Sequence, residues 1–416
     1  MSNRLKSASP IIMWAVLVIF YFYQFIARSS FPTVLTDEYM RHFLLDAAGV
    51  GTLASCYYFV YTFMQIPAGL IIDKYSTRLI GSLATGICAL GVLVFVATTN
   101  CYIAGFGQML VGFGSAFAFL LALKTITTWF PPQKITLMSS YTMSVGCLGP
   151  VVGGPLVAHI VKSNDWTDVM MIFGIAGVLF AVFVWLIMID KPQEHAEHEK
   201  FTLWQALKII LSSKQAWILA LYTMMLYAPL SALGDLWGVA FIKNAYGVDS
   251  TVAAFANNMI YVGMVIGAPF FAYLALRMDS YKKPMIIGAL IATVALGVVI
   301  GCTGIPIEAV FVLFFVTGFS CGAMLGYPLA MAIFPKAIGA TVSGFINMMS
   351  MVSGVILMPL IGWIINLCWD GTLENGIKIY KDADYRWGLS AVIVFLVLGI
   401  LLALIMKDHS PKTAHK

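Results

Sequence analysis

The chain has 416 residues, of which AVILMFWYC make up 61% and DEKR only 10%, with a formal net charge of +5. That balance is the inverse of a water-soluble domain's and excludes one. The apolar runs are too long and unbroken for the ~10-residue alternating strands of a membrane β-barrel, and the positive charge suits cytoplasmic loops better than nucleic acid.

A helix crossing the hydrocarbon core needs ~20 mostly apolar residues. In chain order the sequence predicts spans at 11–36, 49–72, 79–98, 102–128, 135–161, 168–189, 215–242, 251–276, 284–302, 307–333, 338–367 and 387–406. The expected fold is all-α and integral to the membrane, with twelve transmembrane helices in two six-helix halves. Ile11–Phe20, after Arg4 and Lys6, could pass for a secretory signal, but no small-residue cleavage pattern follows and the helix runs on into Tyr21–Arg28. It is expected as an uncleaved first span. With the N-terminus inside, about 16 Lys and Arg fall in cytoplasmic segments and about 6 outside, so both termini are expected in the cytoplasm.

The longest polar stretch follows the sixth span and includes Lys191-Pro-Gln-Glu-His-Ala-Glu-His-Glu-Lys200. Residues 191–214 are expected as a cytoplasmic linker that divides an N-terminal half, 1–190, from a C-terminal half, 215–416. His195 and His198 stand among glutamates with no scaffold, and the seven cysteines form no C-x-x-C pattern, so neither a metal nor another cofactor is expected. Parallel halves joined this way are the layout of an alternating-access carrier with its solute site near the midplane. A weak repeat supports it: basic turns follow the second span (Gly69 to Arg78) and the eighth (Arg277 to Pro284).

Gly69-x-x-x-Asp73-x-x-Ser76-x-Arg78 resembles the signature turn of the major facilitator superfamily, and the resemblance implies that Gly69, Asp73 and Arg78 form a gating latch. Ser76 stands where that pattern usually has glycine, and Leu276 where the second half would carry a partner acid. Further stretches, Tyr57-Tyr58-Phe-Val-Tyr61 with Gln65-Ile-Pro67, Trp129-Phe-Pro-Pro132, and Tyr227-Ala-Pro229 with Leu236-Trp237-Gly238, are similar to the proteobacterial intraphagosomal amino-acid transporters, a branch that includes lysosomal dipeptide carriers. The resemblance implies uptake of an amino acid or small peptide across a bacterial inner membrane. In the fifth span, Gly149-Pro150 with Gly153 and Gly154 resembles the Gly-Pro motif of proton-coupled drug exporters; its physical content is a tightly packed helix.

A charge at bilayer depth costs at least ~2.5–3.5 kcal/mol, so each embedded ion is a functional candidate. Three are deep. Arg28 shares a helical face with Gln24 and could hold a carboxylate with two hydrogen bonds; the alternative is an arginine snorkelling to the outer interface. Lys124 lies two turns from the end of the fourth span, and the resemblance implies a contact with a substrate carboxylate; snorkelling is again the alternative. Asp235 in the seventh span could meet an amine or carry a proton. The alternative there is a helix broken at Pro229 and Gly234 that leaves Asp235 near water. Around these stand Tyr57, Tyr61 and Gln65 at helical spacing, Asn257, Asn258 and Tyr261 on the eighth span, Tyr327 on the tenth and Asn347 on the eleventh.

The expected function is secondary transport of a small polar or zwitterionic solute, either coupled to protons through Asp235 or, since buried acids are few, a simple uniport. It proceeds by rocking of the two halves in a monomer, with the solute held by Arg28 or Lys124 and Asp235. Rival readings are a proton-driven exporter of a siderophore or drug, an organic-anion symporter and a receptor that keeps the fold without flux. A membrane-embedded enzyme would need a nucleophile with a base, or a His/Asp cluster, and none is visible; nor is there a phosphate loop for an ATP-driven pump.

Overall fold

Inside a bilayer only the chain's own carbonyls can accept its backbone N–H groups, so long apolar runs must form helices. A computed structural model describes residues 9–190, 203–335, 338–374 and 377–411. Twelve helices among them are long and apolar enough to cross a membrane: α1 Pro10–Val34, α2 Ala47–Ile72, α3 Thr77–Val96, α4 Cys101–Trp129, α5 Leu137–Ile160, α6 Trp166–Ile187, α7 Lys214–Tyr246, α8 Ser250–Met278, α9 Lys282–Gly301, α10 Ile307–Ile333, α11 Thr341–Cys368 and α12 Asp382–Ile405. Each predicted span coincides with one of them, and the chain is a multi-pass integral membrane protein. Of the predicted linker, residues 191–202 and with them His195 and His198 lie outside the described residues, and Leu203–Ser212 is a short helix.

Polar residues start the helices where the apolar runs begin. Asn100 accepts the backbone N–H of Tyr102 at 2.9 Å, Asp165 that of Thr167 at 2.8 Å and Asp249 that of Thr251 at 2.9 Å, each satisfying a donor that the first turn leaves without a helical partner. Departures from the predicted boundaries occur at the ends. A short helix, Thr36–His42, follows α1, α10 unwinds between Cys321 and Gly326, and a small hairpin pairs Leu373–Glu374 with Ile377–Lys378. Before α2, burial alone would raise the pKa of Asp46, but the Gly49 N–H at 3.0 Å and the Lys378 ammonium at 3.2 Å hold it below the ordinary carboxylate value.

The chain divides into two compact units, Met1–Leu35 with Cys56–Ala196, and Thr36–Ser55 with Glu197–Lys416. A cut at the linker assigns 36–55 to the first half; in the structure they belong to the second unit. The reason is close backbone packing: a side chain on Gly51 would meet the carbonyl of Met358, and one on Gly362 that of Ala47. The first turns of α2 therefore lie directly on α11.

Each unit carries the same staple. In the first, the Ser76 hydroxyl donates to Asp190 at 2.5 Å, the Arg78 backbone N–H donates to the same carboxylate at 3.2 Å, and Arg78 Nε donates to the carbonyl of Trp185 at 2.6 Å. In the second, the Ser280 hydroxyl donates to Asp408 at 2.6 Å, the Lys282 N–H follows at 3.1 Å, and Lys282 Nζ donates to the Leu404 carbonyl at 2.6 Å. An acid just past α6 or α12 thus ties down the start of α3 or α9, while a cation covers a carbonyl near the helix end, where the dipole favours it. Ser76, where the signature turn usually has glycine, is also the cap of α3, accepting the Leu79 N–H at 3.1 Å. Ser76→Ala is expected to cost about 1 kcal/mol. Ser280→Ala, at a buried hydroxyl that also accepts the Lys283 N–H, is expected to cost about as much or more, each read as a lower unfolding midpoint in detergent.

Candidate functional site

Two embedded charges sit on turns of unusual geometry, one in each unit. Pro32 has no N–H for the carbonyl of Arg28 four residues back, and Pro229 none for that of Met225. In both places the helix does not break but widens into π-helical turns, over Ile26–Ser30 in α1 and Leu230–Trp237 in α7. The i→i+5 bonds are explicit: Phe31 N–H donates to Ile26 and Gly238 N–H to Leu233. Arg28 lies in the first widened segment and Asp235 in the second. Such turns are rare and cluster at functional sites.

In the first unit Arg28 is buried, 5% exposed, so it does not reach outer water in the manner of a snorkelling side chain. Its guanidinium lies 4.3 Å from the centre of the Phe25 ring and 5.9 Å from that of Tyr58, within range of cation–π attraction. Tyr57 donates to Gln24 Oε1 at 3.1 Å and stacks on Tyr61 with ring centres 5.6 Å apart. Gln24, Arg28, Tyr57 and Tyr61 are therefore gathered where α1 meets α2. Gln65, one turn on, donates to the Tyr61 carbonyl at 3.5 Å and also hydrogen-bonds the Tyr61 side chain. The fifth-span glycines set the approach of α5 to this turn: a side chain on Gly149 would lie 2.8 Å from Phe25 Cβ, and one on Gly153 2.6 Å from Ser30 Oγ. Packing against α1 accounts for these two positions.

Lys124 is held elsewhere. Its ammonium donates to the carbonyls of Ile72 and Tyr75, at the end of the helix that carries α2, where the carbonyl dipoles favour a cation. It lines a cavity of ≈ 180 Å³ with Lys74, Ser76, Thr77, Trp129 and Asp190. Of the latch residues, Arg78 belongs to the staple, a side chain on Gly69 would meet nothing within 4 Å, and the side chain of Asp73 lies outside the described residues.

In the second unit Asp235 is 0% exposed, so the alternative of a broken helix opening it to water is overturned. The Tyr261 hydroxyl donates to Asp235 Oδ1. Asn257, one turn before Tyr261 on α8, donates to the Gly234 carbonyl at 3.3 Å, and Asn258 beside it is buried. Thr36 donates to the carbonyl of Leu236 at 3.3 Å, on the same widened turn. Tyr327 and Asn347 meet separately, hydroxyl to amide oxygen at 3.1 Å.

One acid escaped the sequence reading. Glu38, on the short helix after α1, has a buried Oε2 without a hydrogen-bond partner. Burial pushes its pKa up, as does neighbouring Asp37, while its own backbone N–H, Lys243 and Arg41 work the other way. Lys243 pairs directly with Asp37 at 2.8 Å. A glutamate just past an apolar run carries no periodic signal, and only tertiary packing buries it.

Among known proteins, a family model described as Major Facilitator Superfamily matches residues 17–239 and 236–416. The chain is 22% identical to the uncharacterized transporter YybO of Bacillus subtilis, over 92% of each chain. It is 23% identical to the probable galactarate/D-glucarate transporter GudP of Escherichia coli, again over 92% of each. Among solved structures, a bacterial homologue of the human lysosomal transporter Spinster, inward-facing and occupied, superposes with a TM-score of 0.79 at 18% identity, covering 96% of this chain and 97% of that one. With a family match across nearly the whole chain and the same twelve-helix fold, the chain belongs to the major facilitator superfamily and is a membrane transporter, not an enzyme.

Proposed function

We propose that this transporter takes up a small solute bearing a carboxylate, an amino acid, small peptide or organic acid, and that Arg28 binds that carboxylate. The observation that carries the reading is a guanidinium buried on a widened turn of α1 against aromatic rings. Arginine at bilayer depth is costly and is kept where it meets an anion or lines a solute path. Its planar fork matches a carboxylate with two parallel hydrogen bonds. Gln24, Tyr57 and Tyr61 supply the neighbouring polar and aromatic wall. The name of GudP, whose stated solutes are sugar diacids, supports the carboxylate and widens the class beyond amino acids. Lys124 is reserved for the end of α2 in this state. The excess of basic residues in alternate loops supports both termini in the cytoplasm of a bacterial inner membrane.

The test is uptake into proteoliposomes of a labelled panel of galactarate, D-glucarate, glutamate, neutral amino acids and a dipeptide. Unlabelled acids and their methyl esters serve as competitors. Free carboxylates are expected to compete and the esters to fail. Equal competition by esters, or transport confined to cationic drugs, would overturn the carboxylate reading and favour export.

A further inference from the structure

The short helix Thr36–His42 is anchored to α7 at two points. Thr36 donates to the Leu236 carbonyl at 3.3 Å, and Asp37 pairs with Lys243 at 2.8 Å. Leu236 and Lys243 stand about two turns apart on one face of α7. Glu38 follows these anchors directly, and its surroundings differ from those of its neighbour. The Lys243 ammonium is taken by Asp37, while Glu38 Oε2 is buried and has no hydrogen-bond partner. An ionised oxygen withdrawn from water with no donor is strongly disfavoured; the neutral acid loses far less on burial. On its own helix Glu38 has Asp37, Tyr39, Arg41 and His42 for neighbours. Tyr39 is buried, Arg41 is exposed, and His42 sets its ring against Phe43 at 4.8 Å. Lys243 faces it from α7, and α12 brings Tyr385, buried near Asp37. None of these gives Oε2 a donor. Burial first, and then Asp37, raise the pKa of Glu38 against the lowering by its own backbone N–H, Lys243 and Arg41.

We infer that Glu38 is a proton-binding site, and that the bound proton holds the short helix on α7 beside the turn that carries Asp235. With the proton in place, the two adjacent acids carry one negative charge, which Lys243 balances. Without it, a second negative charge stands next to Asp37 with one oxygen cut off from water. That strain is relieved when the helix leaves α7 and water reaches the carboxylate. The sign follows from linkage. The docked helix binds the proton more tightly than the free one, so docking is favoured at low pH and weakens as pH rises through the raised value. Undocking also withdraws the Thr36 hydroxyl from the Leu236 carbonyl, and the effect of the proton thereby reaches the residue next to Asp235. With both termini in the cytoplasm, as proposed, the short helix lies outside and the site responds to external pH. The inference does not depend on which solute is carried.

The experiment is an infrared pH titration of the purified protein in lipid nanodiscs, wild type against Glu38→Gln, with hydrogen exchange of residues 36–42 followed over the same range. At neutral pH the wild type is expected to show a protonated-carboxyl band that Glu38→Gln lacks. The band should vanish on alkaline titration, well above the ordinary glutamate value of about 4.3. As it vanishes, exchange of the short helix, corrected for its intrinsic pH dependence, is expected to rise at least about tenfold in the wild type. In Glu38→Gln, which is always neutral, it should stay level. Asp37→Asn removes the like charge and frees Lys243 for Glu38, so the band should need at least about tenfold more protons to persist. A Glu38 that only packs would show no such shift. Should Glu38→Gln fail to fold, the Asp37→Asn shift assigns the band in its place. No band difference between wild type and folded Glu38→Gln, or loss of the band near the ordinary glutamate value, would overturn the proton site. Loss of the band with no change in exchange would overturn the docking role alone.

Discussion

Replacing Arg28 by lysine is expected to disable uptake nearly as thoroughly as replacing it by alanine. A hydrogen bond to a charged group contributes about 1.5–3 kcal/mol, so losing the guanidinium should weaken apparent solute affinity roughly 10- to 150-fold. Lysine keeps the charge but loses what this position uses. The guanidinium is planar, lies over the Phe25 ring at 4.3 Å and offers paired donors, whereas an ammonium is a compact point charge that demands more hydration in a buried place. Initial uptake rates against solute concentration, with the folded fraction checked by size exclusion, give the answer. Near wild-type affinity in the Arg28→Lys variant would remove Arg28 from the binding role and return it to helix packing.

The second large effect is expected at Asp235. Asp235→Asn keeps the shape of the side chain and can still meet the Tyr261 hydroxyl, but it removes the only acid that the sequence places deep within a span. Concentrative uptake should fall at least about tenfold, equivalent to about 1.4 kcal/mol or more, while exchange of solute at equal concentrations on both sides continues. That split separates an ion-coupling role from a solute-binding one. Loss of exchange together with uptake would instead make Asp235 a solute ligand, the amine partner that a zwitterion requires. Ion gradients applied singly, sodium or proton, then identify the driving ion in the wild-type protein.

The charged members of the candidate site were readable because charges inside apolar runs are conspicuous. Arg28 and Asp235 stand out against neighbours such as Phe25, Ile26, Leu233 and Leu236, and Tyr57 and Tyr61 show their common face by spacing alone. Depth within a span does not say what a charge meets. Lys124 has the same conspicuousness as Arg28, yet it is spent on the carbonyls of Ile72 and Tyr75, a contact fixed by where α2 stops relative to α4. Pro229 was legible as an interruption, but whether the helix breaks or widens after it depends on what receives the carbonyls of the widened turn. Here Asn257 takes that of Gly234 and Thr36 that of Leu236, from residues 23 and 200 positions away.

The sequence by itself determined the class of molecule. A bilayer leaves a long apolar segment no alternative to a helix, so composition and run length sufficed for twelve spans, and the basic turn at Gly69–Arg78 indicated the superfamily. Tertiary structure alone decided which embedded polar groups share a site, that residues 36–55 join the second unit, that Ser76 and Ser280 anchor matching staples to Asp190 and Asp408, and that Lys243 meets Asp37 rather than Glu38. These are contacts between helices distant in sequence. Helical periodicity gives the face a residue occupies, but not which neighbour that face will meet.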